Sequence, residues 1–353
     1  MKILLASTSS GSRGGGELYL VYLGRALAQR GHEVAFWAST HPRMDELAAT
    51  FSSIGRVLRS PYQNTYDRLG RSLASRFDSR TAKRIAAEWS QAGMEVIHLN
   101  KQNLEDGLDL LRAVRISGVP SICTIHLTQS ARYLRAKGAA LRDWVARRAL
   151  EEYRGAFVTV LENRRRDLAD FLGSESRVHV IPNGVPLFDL SGRAAQRAAK
   201  RAELGVTEDQ LLFIAVGRMV PQKRPLQFLE KAAQIHASFS SSRFLWIGDG
   251  ALAEDWDRWV AARELSNVIR RLPWQRDVPP YLFAADVFLH VAEFEGLPLA
   301  ILEALSASLP CAVAPHLLAE MPFLTSENSI AVADDEGCPE IFRSREKLET
   351  MGR

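Results

Sequence analysis

Three stretches of this chain hold side chains whose types and spacing can do chemistry. The richest is Glu293-Phe294-Glu295-Gly296-Leu297-Pro298-Leu299-Ala300-Ile301-Leu302-Glu303-Ala304-Leu305. Pro298 suits the first position of a helix, and the helix that follows is apolar nearly all round, which marks it as buried. Glu303 is its one carboxylate, so the pattern predicts a buried acid, and a buried acid needs donors. Ribose hydroxyls would supply two; a protein arginine or backbone amides would serve equally. Glu295 falls in the loop ahead of the helix, where it can hold sugar hydroxyls. The amides of Gly296, Leu297 and Leu299 lie near the positive helix end.

The second stretch is Gly217-Arg218-Met219-Val220-Pro221-Gln222-Lys223. Two cations on a loop closing a strand can converge on one diphosphate, Arg218 with a fork of donors and Lys223 as a point charge. They would also stabilise charge growing on a departing nucleoside diphosphate. An arginine and a lysine at a solvated surface look the same in sequence. The third stretch is Gly14-Gly15-Gly16-Glu17. Bare amides of Gly15 and Gly16 at a helix start can approach a phosphate or sugar closely, and a merely mobile loop would have the same composition. Neither the dinucleotide pattern G-x-G-x-x-G nor the P-loop pattern occurs there. Asp255-Trp256-Asp257 imitates a metal-binding D-x-D, but two positions apart on a helix face different ways, so it reads as a decoy.

The elements that must position these residues alternate between short apolar runs and helical stretches, twice over. Strands are predicted at 3–6, 33–37, 96–99, 121–125, 157–161 and 178–181, then at 212–216, 244–247, 268–271, 287–290, 311–314 and 330–332. Helices at 18–30 and 226–237 carry apolar residues three and four apart. Pro182-Asn183-Gly184-Val185-Pro186 halts regular structure, and a charged helical segment, 193–204, follows. The expectation is an α/β protein of two doubly wound, Rossmann-like domains facing a central cleft. Residues 1–185 would form the first domain, 186–338 the second, and 339–353 a short tail crossing back to the first. Ligands of such sheets bind beyond the carboxyl ends of strands, where all three stretches fall.

Bulk properties narrow the function classes. Apolar content of 46% and charged content of 24% in 353 residues are those of a soluble globular protein. The first apolar run ends within a few residues, too soon for a signal peptide, and no run is long enough for a membrane span. Cys123, Cys311 and Cys338 are an odd number, which points to a reducing compartment and, by default, the cytoplasm. Residues 1–188 hold 27 Lys+Arg against 18 Asp+Glu, whereas the remainder is net acidic. The basic excess gathers at 56–84 and 132–166. Such a half can meet nucleic acid, an anionic membrane, an acidic substrate, or water alone. No nucleic-acid motif or interleaved aromatic pattern accompanies it.

Gly217-Arg218 with Lys223, then Gly248-Asp249-Gly250 after a strand, then Glu295 and Glu303, in this order and spacing, resemble the retaining GT-B glycosyltransferases of family 4. Gly14-Gly15-Gly16-Glu17, the Arg30-Gly31-His32-Glu33-Val34 turn and Ile181-Pro182-Asn183-Gly184-Val185 extend the likeness, which covers residues 1 to about 332. The resemblance implies that Arg218 and Lys223 grip the donor diphosphate, Glu303 the ribose, and Glu295 the hydroxyls of the transferred sugar. It adds Gly217, Gly248 and Asp249 to the donor site and matches His126 to a histidine beside the donor sugar. It further implies retained anomeric configuration, front-face transfer in which a donor phosphate oxygen takes the acceptor proton, and no cofactor or metal.

The chain departs from the family pattern at Leu297-Pro298, where Phe-Gly is common, and at Pro186, where Asp is. His316-Leu317-Leu318-Ala319-Glu320 replaces a glycine-rich nucleotide loop. The expected partners are a nucleotide-sugar donor, a glycan or lipid-linked acceptor, and an anionic membrane met through the basic first domain, without nucleic acid. The work would be glycolipid, lipopolysaccharide or other polysaccharide biosynthesis on the cytoplasmic membrane face. The alternatives are a sugar-nucleotide epimerase of the same fold, for which no acid–base set stands out, and a non-catalytic nucleotide-sugar-binding subunit.

Overall fold

Runs of consecutive apolar residues make strands buried on both faces, and both sheets of this protein are built from them. A computed structural model describes residues 1–9, 14–333, 348, 350 and 351. The chain divides into two compact units, Met1–Gly184 and Val185–Arg353.

The first unit holds seven strands: β1 (Lys2–Ser7), β2 (Glu33–Ser39), β3 (Arg56–Ser60), β4 (Val96–Lys101), β5 (Ser121–Ile125), β6 (Ala156–Thr159) and β7 (Val178–Val180). All are parallel, in the order β3-β2-β1-β4-β5-β6-β7. Alternation along β1 assigns its faces. Leu4 joins a core with Trp37, Trp89 and Ile97; Leu5 joins one with Leu20, Phe36 and Phe51 on the other side.

The second unit holds β8 (Leu211–Val216), β9 (Ser242–Ile247), β10 (Ile269–Leu272), β11 (Val287–His290), β12 (Cys311–Val313) and β13 (Ser329–Ala331). They too are parallel, in the order β10-β9-β8-β11-β12-β13. Phe213, Phe228, Phe244, Trp246 and Trp256 form the centre of the core. The charged segment after the break is the helix Arg193–Leu204. Its buried Arg201 bonds Asp286 Oδ2 at 3.0 Å and the carbonyl of Ala284 at 2.8 Å, and Arg197 bonds Asp286 Oδ1 at 2.7 Å. A polar-looking helix is thereby fixed by one buried and one half-buried arginine.

The structure corrects three expectations. β3 was not expected, because Arg-Val-Leu-Arg-Ser reads as a charged loop; it is an edge strand, whose outer side water can solvate. Pro298 is the N-cap residue, and the helix proper is Leu299–Ser306. Residues 316–320 are no loop: they continue the short helix Pro315–Glu320. Asp255 pairs with Arg258, and Asp257 with Arg271 across two bonds of 2.7 and 2.5 Å, both carboxylates thus engaged by arginine. Cys123 and Cys311 are buried free thiols, while Cys338 and most of the expected tail, 339–353, lie outside the described residues. No helix among the described residues is long and apolar enough to cross a membrane.

Candidate functional site

In each sheet the first strand of the unit lies inside, so that later strands are laid down on both sides of it. The order reverses between β1 and β4, and between β8 and β11. Loops leaving the carboxyl ends of such a pair diverge and open a crevice. In the second unit these loops are 217–224 and 291–298, which contain two of the three stretches singled out in the sequence.

The two loops are stitched together. Glu293 donates its amide to the carbonyl of Gln222 at 2.8 Å, and Gln222 Nε2 returns a bond to the carbonyl of Phe294 at 3.0 Å. Pro221 starts a 3-10 turn that ends at Lys223, bringing its ammonium onto Glu295 Oε1. The lysine stem passes over Gly217, where a Cβ would lie 3.8 Å from it. His290, the last residue of β11, meets the same Oε1 through Nε2 at 3.1 Å. Both contacts with Glu295 thus end on one oxygen, leaving Oε2 for something else.

Glu295 is 4% exposed and His290 is equally buried. Burial pushes the Glu295 carboxyl up, but Lys223 and His290 outweigh it and hold the group at about 2, so it is ionised at neutral pH. Burial depresses His290, with Glu295 opposing. The imidazole is then a neutral N–H donor to the carboxylate. Sequence reasoning missed this residue, since it closes an apolar run and looks like the end of a strand.

Glu303 is 8% exposed within the helix Leu299–Ser306, as the apolar pattern required. Gly296, Leu297 and Leu299 line the buried approach to that helix. Arg218 is exposed, and its guanidinium has no hydrogen-bond or ion-pair partner among the described residues. It stands open to an anion. Gly248 has φ +137, and a Cβ there would come within 2.2 Å of the carbonyl oxygen of Gly217. Gly248 therefore permits a close backbone contact between the loops after β8 and β9, whereas Gly217 would accept a Cβ at ordinary distance from the Lys223 stem. Asp249 is exposed and accepts the amide of Trp274 at 2.8 Å, so its carboxylate already orders the turn after β10.

In the first unit Gly15 is exposed and Gly16 half buried at the start of the helix Gly15–Gln29. A Cβ on Gly16 would fall 2.0 Å from Gln102 Oε1, so its bareness admits a neighbouring side chain. Its carbonyl accepts Asn100 Nδ2 at 2.9 Å, and Asn100 Oδ1 lies 2.7 Å from His126 Nε2. A carbonyl can only accept, which fixes the Asn100 amide and makes His126 Nε2 the protonated nitrogen. Nδ1 is left as an acceptor. Burial, with a smaller contribution from His98, holds His126 down at about 3, and Tyr19 packs edge-on to its ring at 4.9 Å.

Known proteins resemble this chain along most of its length. Residues 13–187 match Glycosyltransferase Family 4 and residues 196–319 match Glycosyl transferases group 1. Over 209 residues, 57% of this chain, it is 32% identical to the UDP-Gal:alpha-D-GlcNAc-diphosphoundecaprenol alpha-1,3-galactosyltransferase of Escherichia coli. Over 244 residues, 65% of the chain, it is 26% identical to the alpha-monoglucosyldiacylglycerol synthase of Acholeplasma laidlawii. These matches span 53% and 61% of the relatives' own lengths. Among solved structures, Anabaena Alr3699/HepE in complex with UDP and glucose superposes with a TM-score of 0.75, covering 100% of this chain and 92% of that one at 16% identity. That likeness is one of fold.

Proposed function

We propose that this chain, which belongs to the family 4, group 1 glycosyltransferases of GT-B fold, moves a sugar from a nucleotide-sugar donor to a glycan or lipid-linked acceptor with retained anomeric configuration. The observation that carries the reading is the Lys223–Glu295–His290 cluster at the switch point of the second sheet. An ionised, buried carboxylate with one oxygen held by two donors is suited to orient hydroxyl groups with the other. Lys223 has three N–H donors and spends one on Glu295; the rest, with the open fork of Arg218, are available to a diphosphate. Glu303 would take the ribose, and backbone at Gly217, Gly248, Gly296, Leu297 and Leu299 would line the donor. In the first unit, neutral His126 offers Nδ1 to a sugar hydroxyl, and Gly15 and Gly16 offer amides.

The chemistry follows from charge. Cleavage of the bond between anomeric carbon and phosphate oxygen leaves negative charge on the diphosphate, and cations already in place lower that barrier. The acceptor oxygen bonds the same face of the anomeric carbon, and its proton passes to the departing phosphate oxygen. Arg218 and Lys223 supply the countercharge in this scheme, so it calls on no metal or cofactor. A uridine diphosphate sugar is the first donor to test, since the Escherichia coli relative is named for UDP-Gal and the Anabaena structure holds UDP. The acceptor is a lipid-borne glycan or lipid, and the enzyme works peripherally at a cytoplasmic anionic membrane.

The test is a thermal-shift panel of nucleotide-sugars. A donor at a hundred times its Kd stabilises the fold by about 2.7 kcal/mol. Lys223→Ala and Glu303→Ala should each shrink that shift and depress transfer. Full shift and full transfer in both variants would overturn the site.

A further inference from the structure

The basic residues of the first unit include cations paired along their own helices and cations that make no ion pair among the described residues. Arg147 and Arg148 are paired with Glu151, Arg164 with Asp167, and Arg165 and Arg166 with Glu162. These charges are spent on neighbours of the same helix. Arg71, Arg132, Arg135 and Lys137 are exposed and make no side-chain hydrogen bond or ion pair among the described residues. Unlike the exposed Arg25, Arg43, Arg80, Lys83 and Arg154, these four lie in the same stretches of chain as a set of exposed apolar side chains. Leu69 is 100% exposed, Tyr133 67%, Trp144 54%, Leu141 51% and Leu134 45%.

These residues share one face of the unit. Glu105 accepts Ser72 Oγ at 3.1 Å and Arg142 Nε at 2.8 Å, tying the start of the helix Arg71–Phe77 to the first turns of the helix Ala139–Glu152. Asp143 accepts the amides of Ala131 and Arg132 at 2.7 and 3.1 Å, folding the segment with Tyr133 and Leu134 back onto that helix. Leu141 and Trp144, three apart, lie on one helical stripe. The segment is also the connection that leaves β5 at His126, so the patch borders the carboxyl end of the first sheet.

Single exposed apolar residues are ordinary, whereas a contiguous group ringed by unpaired cations marks an interaction surface. Its chemistry is that of a bilayer interface. Tyr and Trp favour the headgroup level, aliphatic tips enter the acyl boundary, and unpaired cations answer anionic headgroups. We propose that Leu69, Tyr133, Leu134, Leu141 and Trp144, with Arg71, Arg132, Arg135 and Lys137, dock the first unit on an anionic phospholipid bilayer. The inference deepens the reading of a lipid-borne acceptor, which gives the docking a purpose; the docking itself rests on this surface alone. It brings the mouth of the β5 loop to the plane where such an acceptor presents its sugar.

The experiment is co-sedimentation of the full chain with vesicles of phosphatidylcholine alone or with about one-third phosphatidylglycerol, at low and high salt. Binding should require phosphatidylglycerol and weaken with salt. Arg132→Gln with Arg135→Gln should weaken it about twenty-five-fold, each cation being worth about fivefold. Tyr133→Ser with Trp144→Ser should weaken it about tenfold or more. The paired-charge control, Arg147→Gln with Arg166→Gln, should leave it near wild type. Binding that ignores lipid charge, no binding at all, or equal losses from the control and the cation variant would overturn the docking surface, including in favour of a protein partner. All these positions are exposed, so the nucleotide-sugar thermal shift should persist in every variant. Loss of vesicle binding with that shift intact speaks to the surface; no shift in the unmodified chain speaks against the transferase reading instead.

Discussion

Two donors on one carboxylate oxygen make His290 as consequential as Lys223. A hydrogen bond to a charged group contributes about 1.5–3 kcal/mol, and its loss leaves a buried carboxylate short of a partner. His290→Leu should therefore lower kcat/KM for transfer about tenfold to a hundredfold. His290→Gln, which still presents an N–H, should recover most of it. The sharper reading is the pH profile. Without His290 the Glu295 carboxyl rises from about 2, so the acid limb should move to higher pH in the leucine variant and return in the glutamine variant. Equal losses in both, with an unmoved limb, would reduce His290 to packing. Arg218, Lys223, Glu295 and Glu303 stood out as candidates in sequence because charge on a loop after a strand, or alone in an apolar helix, is conspicuous. That Lys223 closes on Glu295 was not legible, for the two are 72 residues apart in the chain and only the neighbouring of β8 and β11 joins them. His290 was hidden for another reason: one polar residue ending an apolar strand is also what an ordinary strand looks like.

At the scale of elements, the crevice depends on backbones that touch. Met219 donates to the carbonyl of Asp249 at 2.8 Å and accepts the amide of Leu252 at 3.0 Å, so the loops after β8 and β9 move as one. Gly248 allows this, since any side chain would strike the carbonyl of Gly217. Gly205 also has positive φ, +68, but its Cβ would meet nothing within 4 Å. Gly205→Ala should cost only the left-handed strain, about 1–2 kcal/mol. Gly248→Ala should cost about 3 kcal/mol or more, clash added to strain, and should also shrink the donor-induced thermal shift; equal costs from urea unfolding would refute the close contact. The strands that frame these loops were legible because parallel strands buried on both faces are unbroken apolar runs. β3 escaped because an edge strand is half solvated and tolerates arginine at both ends of Val57-Leu58.

Across the whole molecule, acid is resisted by some buried groups and helped by others, and the fold class read from strand and helix alternation says nothing of the balance. Burial holds His98 down at about 4, with Nε2 bonded to Thr124 Oγ1 at 2.8 Å. As pH falls through about 6.5 the unfolded chain protonates this histidine, whereas the folded protein does not until about 4. The unfolded state gains throughout that window, and nothing further is lost below it. A displacement of this size corresponds to about 3 kcal/mol. Asp106 and Asp109 complicate a measurement on the wild type alone. Burial pushes both carboxyls up against the cations beside them, so each takes up protons in the folded state first and favours folding on acidification. A difference between two proteins removes them. His98→Gln keeps a polar partner for Thr124 without a titrating ring, so wild type minus variant stability should decline steadily between pH 6.5 and 4 and be flat on either side. Thermal or urea unfolding of the pair across that range decides it. A flat difference throughout would mean that His98 is hydrated or charged in the folded protein, and that the space where Tyr19 of the helix Gly15–Gln29 meets His98 and His126 is wet.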